Sequence, residues 1–173
     1  PMSSILKVDT IQTTAGAAPN LSDIGFSTAN TIIAAYYATS SSTAQTNNTN
    51  SHANITGLSI TMTPKLATSK ILIQGIIAGE TYGSHADRGL RLGVYGGASG
   101  TTFLYDSQYE LYMSNDSTQR IGKSTIAYIE SASSTSARTY NISFCSTTTN
   151  GNAVARVNQY GAPSQMLVYE IGQ

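Results

Sequence analysis

Residues 137–146 read ARTYNISFCS, and the alternation inside them decides the fold. Tyr140, Ile142 and Phe144 fall on one side of an extended chain, while Thr139, Asn141 and Ser143 fall on the other. A period of two is the mark of a β-strand with unlike faces. The same beat runs through GLSITMTP (57–64), with Leu58, Ile60 and Met62 on one face, and through RGLRLGVY (88–95), with Leu90, Leu92 and Val94. In SQMLVYEIG (164–172) it places Leu167, Tyr169 and Ile171 together.

Polar, glycine-punctuated clusters separate these segments: TSSSTAQTNNTNSHAN (39–54), GETYGSHADRG (79–89), GGASGTT (96–102) and TTTNGNA (147–153). Such clusters are turn chemistry, and counting the runs between them gives about nine or ten strands, the pattern of a two-sheet sandwich. No segment keeps apolar residues at i, i+3, i+4 and i+7, so helix is expected only as a turn near LATSK (66–70).

Residues 3–12, SSILKVDTIQ, also read as a strand, but the following stretch carries Gly16, Pro19 and Gly25 among small residues. A single strand cannot bury a face alone. The expected organisation is therefore a connector arm at 1–30, whose strand pairs with its own sheet or with a neighbouring subunit, and a head at 31–173.

The 173-residue chain has a formal net charge of zero, and charged residues make up 10% of it, against about 25% in an average domain. Capture of nucleic acid or of an anionic membrane needs clustered Lys and Arg, which this chain lacks. The longest apolar runs, TIIAAYYA (31–38) and ILIQGIIAG (71–79), are shorter than the ~18 residues that span a bilayer. No signal-peptide pattern is found, and Pro1 before Met2 reads as the remnant of a cleaved tag. Synthesis in the cytoplasm of a host, with assembly into a particle, is the expected route. The lone cysteine, Cys145, cannot pair within the chain and is read as a small buried thiol.

Four stretches carry a resemblance to a known family: SILKVDTIQTTAG (4–16), ITMTPKLATSKILIQGIIAG (60–79), ESASSTSARTYNISF (130–144) and SQMLVYEIG. Together they resemble a recurring module of tailed bacteriophages, especially marine and cyanobacterial ones, found in fibre and virion-surface structural proteins. The resemblance implies a jelly-roll β-sandwich head that forms homotrimers in the manner of tumour-necrosis-factor-like and C1q-like heads. It also implies an N-terminal strand-and-tether arm joined to other virion proteins. Unlike the longer members, this chain has no stalk of repeats, which leaves open a fibre tip or a capsid decoration protein. A bacterial lectin or adhesin is a further alternative, against which the missing signal peptide speaks.

Few residues are suited to catalysis or metal binding. His52 and His85 are the only histidines, both in polar loops and outside any zinc-site spacing. They are read as solvated, and no metal or other cofactor is expected, although His85 with Asp87 would be the pair to watch at a symmetry axis. STQRIGKST (117–125) approaches a phosphate loop, but its first glycine position is Ser117 and no apolar strand precedes it. GGASG is one residue short of a nucleophile elbow in its spacing. Glu80, Asp87, Asp106 and Glu110 are read as solvated acids at strand ends and loops, and no enzyme is expected.

Recognition is a different matter. Sugars lay an apolar C–H face on an aromatic ring while carboxylates and amides take the hydroxyls. YDSQYELYMSND (105–116) crowds Tyr105, Tyr109 and Tyr112 around Asp106, Gln108 and Asn115, and GETYGSHADRG adds Tyr82, His85, Asp87 and Arg88. Both stretches are candidate loops for a host surface glycan, with the bland alternative that their tyrosines pack at a sandwich edge or subunit seam.

Overall fold

The computed structural model describes residues 29–113 and 119–173. The expected connector arm, apart from Ala29 and Asn30, lies outside the described residues, as does Asn115. The described chain is all β, with eleven strands: β1 (Ile32–Thr39), β2 (Gln45–Asn47), β3 (Ala53–Met62), β4 (Lys70–Gly83), β5 (Arg88–Gly96), β6 (Thr102–Asp106), β7 (Glu110–Met113), β8 (Arg120–Ser131), β9 (Arg138–Ser146), β10 (Ala153–Val157) and β11 (Gln165–Ile171). They form a jelly-roll-like sandwich of two antiparallel sheets.

The larger sheet is organised by β4, the longest strand. Along one side β4 pairs with β8 from Lys70↔Ser131 to Thr81↔Arg120. Along its other side it pairs with β11 and then with β10, which carry β1 and β2 outward. The second sheet runs β3-β9-β5-β6, and β7 also pairs with β5.

The strand faces read from alternation meet between the sheets. Leu58, Ile60, Met62, Leu90, Leu92, Val94, Tyr140, Ile142 and Phe144 are buried against Ile71, Ile73, Ile77, Met166 and Val168. Each such burial stabilises the fold by roughly 1.5–3 kcal/mol. The sheets approach closely at Gly75, where a Cβ would sit 2.4 Å from Ile142 Cδ1 and 3.0 Å from Ile126 Cγ2.

Two expectations are corrected. In β11 the inward set is Met166, Val168 and Glu170, and Leu167, Tyr169 and Ile171 lie on the outer face. Glu170 tolerates full burial because its Oε1 accepts from Lys65 N (2.7 Å), Leu66 N (3.0 Å) and Ser69 Oγ (2.8 Å). Those bonds hold residues 65–69 as a turn closed by Ser69 N donating to Leu66 O, with no helix. The one helical segment among the described residues is a 3-10 turn at Gln159–Gly161.

The second correction concerns β9, whose polar face is covered nearly as fully as its apolar one: Ser143 and Cys145 are buried and Asn141 nearly so. Asn141 Nδ2 donates to Gly100 O at 2.9 Å, so the β5–β6 turn folds over this face. Burial of Cys145 agrees with the expectation and pushes its thiol up to about 11. Gly122, Lys123 and Ser124, set aside above as a phosphate loop, are extended within β8.

Candidate functional site

The register of β5 against β7, Arg88↔Met113 and Leu90↔Glu110, brings the two candidate loops together. Residues 84–87 lead into β5, while 107–113 leave β6 and return as β7. His85, Asp87, Tyr109 and Tyr112 line one open cleft of about 330 Å³, completed by Thr147 and Thr148. Both threonines come from the TTTNGNA turn, which offered no chemical signal beyond its hydroxyls.

Within the cleft, Tyr112 Oη donates to Asp87 Oδ1 at 2.7 Å. That carboxylate, together with partial desolvation, holds the Tyr112 phenol above its ordinary value. Tyr109 meets Tyr112 edge to face, with centroids 5.3 Å apart, and stays 65% exposed. Gly89 makes the packing possible: a Cβ there would lie 3.2 Å from Tyr112 Cα and 3.3 Å from its Cδ2. His85 Nδ1 lies 3.1 Å from both the Asp87 amide nitrogen and the Asp87 carbonyl oxygen, so the ring is held against its own loop. Arg88, wholly buried, donates from Nη1 to His85 O at 2.7 Å and so braces the loop from behind. Arg120 Nη1 donates to Tyr112 O at 2.9 Å from the other side.

Two residues flanking Tyr109 have left-handed backbone, Gln108 (φ 66) in the turn before it and Leu111 (φ 46) in β7 after it. Strained backbone of this kind persists only where surrounding contacts over-determine it. Here the contact is Asp106, whose Oδ1 accepts from Gln108 N at 2.8 Å. The arrangement can present a ring face, a carboxylate, an imidazole and hydroxyls to one ligand.

The remaining candidates lie elsewhere. Tyr82 is half-buried on β4 beneath the Arg156 guanidinium, whose Cζ is 3.7 Å from the ring centroid. Tyr105 stacks on Tyr128 at 5.8 Å. Arg88 supports the cleft without facing it. Asp106 is no solvated acid: its side chain is 12% exposed and is held by Arg91 through Nε (3.3 Å) and Nη2. Burial pushes the Asp106 carboxyl up, but the Arg91 bond, the Gln108 amide and the charges of Arg91 and His52 outweigh it and leave it below its ordinary value.

Two further solvated readings are corrected. Glu80 is wholly buried beside Arg156. The His52 side chain is 7% exposed, packed against Phe103 (5.1 Å between centroids) and Tyr95 (6.4 Å). Burial lowers its pKa more than Asp106 raises it. His52 Nδ1 lies 3.1 Å from Ser143 Oγ, and Nε2 lies 3.5 Å from Asp106 Oδ2. Serine, histidine and aspartate thus stand in a row, as in acyl-transfer sites. Ser143 is fully buried in mid-strand, however, and a hydroxyl no substrate reaches is not a usable nucleophile. The row locks the polar face of β9 under the β2–β3 loop.

Among the described residues no group of three or more His, Cys, Asp or Glu is placed to hold a metal ion. No described helix is long and apolar enough to cross a membrane.

No protein-family model matches the chain, and no curated protein matches it either. Among solved structures it is similar to the infectious bursal disease virus VP2 subviral particle, at 10% identity and a TM-score of 0.42, over 80% of this chain and 38% of that one. It is also similar to a chain of the T13 particle of the same virus, at 11% identity and a TM-score of 0.40, over 99% of this chain and 40% of that one. The chain thus spans well under half the length of the chains it matches. Similarity of this degree assigns it to no family.

Proposed function

We propose that this chain is a non-enzymatic structural protein of a tailed-phage virion, of the fibre or tip type. In this reading it works as a homotrimer, joins other virion proteins through residues 1–30, and attaches to a host surface glycan. The observation that carries the recognition role is the convergence of His85 and Asp87 with Tyr109 and Tyr112 in one cleft. An exposed ring beside a carboxylate and an imidazole is the chemistry that carbohydrates require, set on a β scaffold that holds its loops rigid. Copies on one particle would multiply a weak contact into avidity. The resemblance to phage surface modules, carried by the four stretches named above, supplies the virion setting.

The test is binding of the purified chain to an array of bacterial lipopolysaccharide and capsular glycans. Tyr109→Ala and Asp87→Asn are expected to abolish retention while leaving the melting temperature within ~2 °C, since surface substitutions usually stay within ±0.5 kcal/mol. Retention unchanged in both variants would remove the cleft from the proposal. Turnover of any retained polysaccharide would overturn the non-enzymatic reading.

A further inference from the structure

The outer face of the larger sheet has an unusual composition. Three cross-strand rows span β1, β11, β4 and β8: Ala35, Tyr169, Leu72 and Ile129; Tyr37, Leu167, Gln74 and Ala127; Thr39, Gln165, Ile76 and Thr125. None of the twelve is charged. Tyr37 is 63% exposed and Ile129 53%. An open apolar plane of this kind marks an interaction surface.

At the end of this plane, where β4 and β8 run on together, the face sinks into an apolar hollow of about 230 Å³. Its floor is Ala78, Gly79 and Gly122, and its walls are Ile121, Lys123, Gln159 and Ala162. Beside it stands Tyr160, the most exposed large apolar side chain described, at 73%. Its backbone is left-handed (φ 57, ψ 29), two residues after Asn158 in the same region (φ 60). A tyrosine rarely adopts that conformation. It is held there by Gln119 Nε2, which donates to Tyr160 Oη at 3.0 Å and also to the buried Glu80 Oε1. An aromatic knob and a largely apolar hollow, with Lys123 as its one charged wall, therefore sit side by side at the end of the three uncharged rows.

We infer that this face is where copies of the chain meet, with Tyr160 of each copy seated in the Ala78–Gly122 hollow of the next. The inference deepens the homotrimer reading above and rests on it. A second copy is the occupant the chemistry favours. The plane offers no charges for a charged partner to pair with, the chain's zero net charge gives copies no mutual repulsion, and one molecule carries both halves of the contact. A knob and a hollow that are different patches make a head-to-tail contact, which closes into a ring of three where successive copies are turned by 120°. Four strands at ~4.8 Å spacing and five residues at ~3.3 Å rise give a plane of roughly 320 Å². The continuation of β4 and β8 and the relief of the side chains bring it toward the ~800 Å² per partner of a stable interface.

Sedimentation velocity of the full chain tests this. The wild type is expected at three times 18.2 kDa. Tyr160→Gly removes the knob and suits its backbone better than tyrosine, since glycine accepts φ 57 freely. It is expected to keep the β-rich circular-dichroism spectrum while associating at least tenfold more weakly. Ala78→Leu fills the hollow and is expected to act in the same direction. A wild-type trimer that neither variant weakens would overturn the assignment of this face and leave the trimer standing. A wild-type monomer at tens of micromolar would overturn both.

Discussion

Asp106 and Asp87 look alike in the sequence, and the structure gives them opposite work, which a pair of isosteric substitutions separates. Asp106→Asn keeps an oxygen for the Gln108 amide and so keeps the turn that presents Tyr109. It removes the negative charge facing Arg91, whose side chain is 22% exposed, and His52, which is 7% exposed. A hydrogen bond between charged groups stabilises by about 1.5–3 kcal/mol and a neutral one by about 0.5–1.5. The difference, discounted because Arg91 reaches solvent, is about 1 kcal/mol. For a chain of this length that lowers the melting temperature by ~2–4 °C. Differential scanning calorimetry reads it, and glycan retention is expected to stay within twofold of wild type. Asp87→Asn, in an exposed loop, should do the reverse. The His52 ring gives a second readout, because without the Asp106 charge its titration by NMR should move further below the ordinary imidazole value. An Asp106→Asn protein with unchanged stability and lost glycan retention would refute the division of labour.

Acid should destabilise the head in two steps. The folded pKa of His52 lies below its unfolded value, so its contribution is complete above about 6.5 and is lost as pH falls through the folded value. The depressed Asp106 carboxyl adds a second loss below about 4. Denaturation by urea at a series of pH values should show both, and His52→Asn should erase the first; a flat profile between pH 7 and 5 in the wild type would contradict it. Gly75→Val is expected to cost more than about 2 kcal/mol, because its first added carbon already overlaps Ile142 and overpacking a tight core costs about 1–3. A denaturation midpoint within error of wild type would show that the sheets can part there. The Cys145 thiol, buried and pushed up to about 11, should react with a maleimide only as fast as the head unfolds, so rapid labelling of the native protein would contradict its placement.

Alternation made the core legible wherever one strand face was apolar and the other polar. Leu58, Ile60 and Met62, and likewise Tyr140, Ile142 and Phe144, are buried on the expected faces. It failed in β11, where both faces are apolar enough to pass and a buried carboxylate settles the register. Local pattern cannot reveal that Glu170 has three donors waiting in a turn a hundred residues earlier. The site was half legible for the same reason. Tyr109, Tyr112, His85 and Asp87 are identifiable as recognition chemistry, but their meeting depends on the β5–β7 register. Asp106 and His52 were misread as solvated because nothing near them in sequence announces Arg91, Phe103 or Tyr95.

The two sheets handle their outer faces in contrasting ways, and this bears on why so uncharged a chain is built as it is. The smaller sheet covers the polar side of β9 with its own loops, through His52, Phe103 and the Gly100 carbonyl, and satisfies the buried hydroxyl and amide groups there. The larger sheet leaves Tyr37, Ile76 and Ile129 open, with no charged residue in the same rows to keep a neighbour away. Edge and face devices that prevent association usually rely on charge. A protein that spends its few charges on internal pairs such as Arg91 with Asp106 and Arg138 with Glu130 has given up that protection on this face. Such a surface is tolerable in a chain whose larger sheet is covered by its own copies, and that geometry would leave the Tyr109 cleft, set by the opposite sheet, facing outward.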